Sequence, residues 1–309
     1  MEPKRNLSHC TPTVKRLRVN MHHLTPPLLA ACLLEVTSRK PGNVHPLARF
    51  EDCDWNSFCA SAEAITPVLA RGRDRGLGET VFRAVEATRA RVGRNTNLGM
   101  ILLLAPLAAA EGVLSSDPVE AVLNKTTNDD CRLVYEAIRL ARPGGLGRVE
   151  DADVHEAPGI SLIAAMRLAA GRDAIARQYV TGFADVFRLA ERFGATELPE
   201  LEREIVRAYL EQLAWEPDSL IARKCGIEIA TEASTRARQV LEDDGAGLRE
   251  LDEWLRADGN RRNPGTTADL IAAVLFVAIR RGLVPSLPVE KILKFGEDIQ
   301  RSGSPICFI

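Results

Sequence analysis

Aromatic residues are scarce in this chain: Phe, Trp and Tyr make up 5% of its 309 residues. Alternating runs of Val, Ile and Thr are missing as well, and with them the period-two signature of half-buried strands. Neither sign of charge is in surplus. The 40 Lys and Arg face 42 Asp and Glu, for a formal net charge of -2 and a pI near 6.3. Nucleic-acid binders usually carry a basic excess, so that class is disfavoured. The longest apolar run, Met100 to Ala110, contains Pro106 and falls well short of the ~20 residues that a bilayer span takes. It reads as a buried helix, and no membrane partner is expected. The seven cysteines, at 10, 32, 53, 59, 131, 225 and 307, include no CxxC pair. Their odd number and irregular spacing argue against a disulfide framework or a zinc knuckle. They read as reduced thiols, which places the chain in the cytoplasm. HExxH, the Gly-Lys-Ser/Thr ending of a Walker A loop and G-x-S-x-G are all absent, and no glycine-rich turn follows a strand.

What is present is helical periodicity in a chain that is 46% hydrophobic, enough for a substantial core. Residues Met1 to Asn20 are polar and basic and read as a flexible tail, and residues 21–309 as a single domain. The pattern predicts helices over Leu28–Thr37, Asp54–Arg71, Glu79–Val92, Asn97–Glu111 and Asn128–Ala141. Further helices are predicted over Gly159–Ala170, Asp173–Phe193, Leu198–Trp215, Asp218–Glu242, Gly247–Ala257, Thr266–Arg281 and Val289–Asp298. Asn97–Glu111 is apolar nearly all round, which marks it as central. About a dozen helices joined by short polar turns, with no repeat, define an all-α, compact orthogonal assembly.

Chemistry concentrates in polar, glycine-containing segments at helix ends. In the first, Glu35 precedes Ser38-Arg39-Lys40-Pro41-Gly42-Asn43. Lys40 is suited to a phosphate and Gly42 to close backbone approach, although the segment also reads as a helix stop with a solvated basic pair. In the second, Glu51, Asp52 and Asp54 lie within four residues. They suit Mg²⁺, or Asp54 caps the following helix. In the third, Gly93 to Gly99, the residues Asn95, Thr96, Asn97 and Gly99 open the apolar helix. Free N–H groups there favour an anion, with Asn95 or Thr96 as the alternative cap. The fourth comprises two glycine loops, one with Gly144, Gly145 and Gly147, the other Asn263-Pro264-Gly265-Thr266-Thr267-Ala268-Asp269. Thr266 and Asp269 have capping-box spacing. His45 and His155 lie near these segments, and a surface or hydrogen-bonded role suits them better than metal ligation.

Taken in order, Leu34-Glu35-Val36, Lys40-Pro41-Gly42-Asn43-Val44, Asp52-Cys53-Asp54, Asn95-Thr96-Asn97-Leu98-Gly99, Pro143-Gly144-Gly145-Leu146-Gly147 and Asn263-Pro264-Gly265-Thr266-Thr267-Ala268-Asp269-Leu270 resemble the triphosphoribosyl-dephospho-CoA synthase family, over residues 28 to 282. The resemblance implies an all-helical transferase that joins ATP to the ribose 2′-hydroxyl of dephospho-CoA, releases adenine, and so makes the prosthetic-group precursor of lyase acyl carrier proteins. It implies Mg²⁺ held by Asp52 and Asp54, and Glu35 or Asp54 as base or stabiliser of an oxocarbenium-like transition state. Lys40 and the segment Asn95, Thr96, Asn97 and Gly99 would contact phosphates. Gly42, Gly144, Gly145, Gly147, Asn263, Gly265, Thr266 and Asp269 would line the nucleotide pocket. Transfer to another nucleotide- or pterin-like acceptor and non-catalytic nucleotide binding stay open as alternatives, as does assembly into a homo-oligomer.

Overall fold

The computed structural model describes residues 24–143 and 159–304. Among the described residues there are fifteen α-helices, one 3₁₀ turn and no strand, as the scarcity of β-branched alternation predicts. Two helices form the centre. Helix α4 (Leu98–Ala109) and helix α14 (Gly265–Arg280) pack against each other, and α1 (Thr25–Thr37) lies against α14. Nearly every residue of α4 is buried, the all-round burial that its composition predicts. Each leucine sealed this way contributes about 1.5–3 kcal/mol relative to leaving it exposed. Around the centre, α2 (Trp55–Leu69), α3 (Leu77–Val92) and α6 (Asn128–Ala141) form one flank. On the other flank α10 (Leu198–Trp215) packs on α12 (Ile227–Glu242), and α13 (Leu248–Arg256) packs on α12. Helix α15 (Val289–Ser302) covers α1.

Three expectations are corrected. The segment 173–193 is two helices, α8 (Ala174–Val180) and α9 (Ala184–Ala190), because Gly182 and Phe183 both take left-handed backbone, with φ of 61° and 64°. The φ of 61° at Gly182 is one that glycine adopts without strain, and a Cβ there would have to push aside the exposed Glu120 side chain. The segment 218–242 is also two helices, α11 (Ser219–Cys225) and α12, parted at Gly226, whose φ is 95°. Helix α5 (Ser116–Leu123) was not anticipated; Asp117-Pro118 at its start hides eight residues of modest amphipathicity. The remaining helices are α7 (Leu162–Ala169) and those at the positions expected. The tail 1–20 and the loop with Gly144, Gly145, Gly147 and His155 lie outside the described residues.

Candidate functional site

The helix ends converge on a cavity of about 1120 Å³, lined by α1, the starts of α4 and α14, the end of α6, and the loops that open α8 and α11. Pockets for one drug-sized ligand run to about 1,000 Å³, so there is room for more than one nucleotide-sized molecule.

The cavity floor is acidic. Glu35, on the last turn of α1, is 4% exposed and lines the cavity. Burial holds its carboxyl above the usual glutamate range, and Lys40 opposes that shift. The Lys40 ammonium lies 3.0 Å from Glu35 Oε1, also donates to the Glu35 carbonyl, and sits 3.3 Å from the Ser38 carbonyl. All three N–H donors of Lys40 are thereby taken, its exposure is zero, and it does not line the cavity. The phosphate contact expected of Lys40 is therefore replaced by an internal ion pair. The solvated reading fails too: Arg39 is clamped to Glu202 through its backbone N–H and guanidinium, at 2.6–2.9 Å. The turn after Lys40 is held by Tyr209, which donates to the Pro41 carbonyl and accepts from Asn43 Nδ2, each at 2.8 Å. Gly42 has φ 75° and packs on Leu255 and Pro264, away from the cavity.

Asp269, on α14 just past its first turn, lines the cavity together with Glu35. The Met100 N–H at the head of α4 acts on its carboxyl, and a Cβ on Gly99 would lie 2.1 Å from its Oδ2. The helix start expected to bind an anion is thus covered by the protein's own carboxyl group. Burial, then the nearby Glu35 and Asp218, push Asp269 well above the usual aspartate range. The expected Thr266–Asp269 capping box is absent. Helix α14 begins at Gly265 without a side-chain cap, and Asp218 accepts the Thr267 N–H at 2.7 Å while Thr266 Oγ1 accepts from Ser219 at 3.1 Å. At the head of α4, Asn97 is 3% exposed and its Oδ1 accepts from Thr88, and Asn95 Oδ1 accepts the Leu98 N–H at 3.0 Å. Thr96 hydrogen-bonds Ser61 at 2.6 Å. Asn95, Thr96, Asn97, Gly99, Asn263, Gly265 and Thr266 all line the cavity.

Of the acidic trio only Asp52 lines the cavity. Asp54 Oδ1 accepts from Ser57 N at 2.9 Å and Ser57 Oγ at 2.6 Å and starts α2, so it is the cap rather than a metal ligand or base. Hydrogen bonds from Ser57 hold its carboxyl below the usual range against the opposing effect of burial. His45 is half-buried and pushed down to about 3 by desolvation and the nearby Arg256, Lys40 and Arg39, so it is neutral, and its Nδ1 accepts the Leu47 N–H. Among the described residues no group of three His, Cys, Asp or Glu forms a metal cage.

The sequence reading missed the cations. Arg94, Arg142 and Arg172 line the cavity as exposed residues, joined by Arg177, Arg223 and Lys224. Arg177 pairs with Glu216, and Arg223 lies 3.6 Å from Asp173. Burial first, then Arg223, lowers the Lys224 ammonium below its ordinary value; Asp52 is among the charges opposing that shift. Arg142 caps α6, Arg94 follows the end of α3, and Arg223 and Lys224 end α11. Basic residues at helix C-termini pass for partners of the helix dipole, and only the fold shows that several of these ends meet.

An acidic floor, a cationic mouth and a volume for two ligands define a small-molecule transferase built on an all-α frame. The chain belongs to the ATP:dephospho-CoA triphosphoribosyl transferase (CitG) family, whose profile matches residues 23–286. It is similar to a crystal structure from Archaeoglobus fulgidus provisionally assigned as a triphosphoribosyl-dephospho-CoA synthase, with 29% identity, 72% of this chain and 98% of that chain covered, and a TM-score of 0.59. No curated protein matches the chain. Among the described residues no helix is long and apolar enough to cross a membrane.

Proposed function

We propose that this chain transfers the triphosphoribosyl group of ATP to the ribose 2′-hydroxyl of dephospho-CoA, with release of adenine. The observation that carries this reading is the division of charge in the cavity. Glycosyl cleavage builds positive charge at C1 of the ATP ribose, and the Glu35 carboxylate on the floor is placed to favour it. The triphosphate needs cations, and Arg94, Arg142, Arg172 and Lys224 supply them. Glu35 takes the proton of the attacking hydroxyl, since burial raises its carboxyl above the usual glutamate range and a carboxylate so raised is the stronger base. Mg²⁺ accompanies the triphosphate. Asp52, the cavity-facing carboxylate, would hold it together with the substrate phosphates, in keeping with its habit of binding one or two carboxylates plus substrate; there it would neutralise phosphate charge.

The test is chromatographic detection of adenine from ATP and Mg²⁺, with and without dephospho-CoA. Adenine formed only with dephospho-CoA supports the reaction and the acceptor. Adenine formed with ATP alone at the same rate, or none in either case, overturns it.

A further inference from the structure

Two carboxyl groups share the cavity floor in unlike surroundings. Glu35 has an ammonium of its own, Lys40, at 3.0 Å. Asp269 has no such ion pair among the described residues: its carboxyl lies against Gly99, and the charges that act on it most are Glu35 from α1, Asp218 at the head of α11 and Asp173 at the head of α8, all acidic. Cys32, one turn before Glu35, also feels both carboxylates but is a buried thiol pushed far up and therefore neutral. Pairs of titratable groups that the fold drives apart in this way divide into acid and base.

We infer that Asp269 is the catalytic acid that protonates the departing adenine, an assignment that rests on the reaction proposed above. As the C1′–N9 bond breaks, its electron pair passes to the purine, and the Asp269 O–H proton goes to a purine ring nitrogen, so that neutral adenine leaves. The 2′-oxygen of dephospho-CoA forms the new bond to C1′ and yields its proton to Glu35. One proton leaves Asp269 and one arrives at Glu35, and exchange with solvent restores both groups. Desolvation and the neighbouring carboxylates raise the Asp269 carboxyl well above the usual aspartate range, the direction an acid requires. Gly99 is part of the device, since any side chain there would displace the carboxyl.

The experiment compares wild type with Asp269→Asn on ATP and on 7-methyl-ATP, whose cationic base departs without a proton. With ATP the variant loses about 10²–10⁴-fold in kcat, the usual share of a general acid, and the alkaline limb of the pH–rate profile disappears. With 7-methyl-ATP it stays within about tenfold of wild type, a rescue that a structural role would not produce. Asparagine matches the carboxyl in shape and adds no charge, so the melting temperature is expected to hold. If it falls, Gly99→Ala keeps the acid but displaces it, and the same preference for 7-methyl-ATP is expected. Equal slowing on both substrates, or an alkaline limb retained in Asp269→Asn, overturns the assignment while leaving the reaction standing. A wild-type chain that releases no adenine refutes the reaction and the assignment together.

Discussion

Replacing Lys40 with methionine separates the two roles this residue could have. The ammonium is sealed, at zero exposure, between the Glu35 carboxylate and the carbonyls of Glu35 and Ser38. Removing one member of a buried ion pair costs about 3–5 kcal/mol, because the other charge is left uncompensated. In a chain of this size each kcal/mol moves the melting temperature by roughly 2 °C, so a fall of about 6–10 °C is expected. The loss should depend on pH. Glu35 titrates above its unfolded value already, and without Lys40 it rises further. A carboxyl with a raised folded pKa binds its proton more tightly in the native state. Its contribution is intact below the unfolded value near 4.5 and is lost as pH rises through the folded value. The variant's deficit therefore widens as pH rises above the unfolded value, and melting is compared at one pH near that value and one well above it. The double variant Lys40→Met with Glu35→Gln recovers part of the stability, since no charge is stranded. Thermal unfolding followed by circular dichroism reads all of this. A Lys40→Met protein that melts like wild type at both pH values, yet shows a raised KM for ATP, would refute the internal pair and restore the phosphate contact.

Two further outcomes test the surroundings of the floor. Asp54→Ala removes the N-cap of α2 and should cost about 1 kcal/mol in urea unfolding, while the Mg²⁺ concentration for half-maximal rate stays unchanged; a shift in that titration would make Asp54 a metal ligand after all. Arg94→Ala should raise the KM for ATP about fivefold, roughly 1 kcal/mol for a screened, exposed contact, with kcat preserved and the effect shrinking as salt is added; an unchanged KM would remove Arg94 from the triphosphate site.

The fold was readable wherever apolar spacing was continuous. Helices α1, α4, α10 and α14 appear close to the expected bounds because their burial is nearly complete or one-faced. The breaks at Gly182-Phe183 and Gly226 were missed because the apolar spacing continues across them, and Phe183 is itself a fully buried core residue. Site residues were legible as segments but not as roles. The basic pair Arg39-Lys40 looks alike in sequence whether it faces phosphate, water or a buried glutamate. Its partners Glu202 and Glu35 are fixed by tertiary contacts, one of them 163 residues away. In the same way Asp269 has the spacing of a cap for its own helix, while the fold sends it to the start of α4.

That placement sets the orientation of the nucleotide. A triphosphate seated at the α4 start would meet Glu35, and a close pair of like charges costs about 4 kcal/mol at 4 Å in a partly screened site, less what Lys40, 3.0 Å from Glu35, offsets. The helix start offsets little of this, because the Asp269 carboxyl lies against Gly99 and Asn95 accepts the Leu98 N–H. On the proposed reaction the polyanion would be driven toward Arg94, Arg142, Arg172 and Lys224, with the ribose over the floor. Positive charge growing at C1′ would then feel the Glu35 carboxylate with the opposite sign. The same carboxylate would disfavour the phosphates in the ground state and favour the oxocarbenium character of the transition state, which is the differential binding that accelerates a reaction.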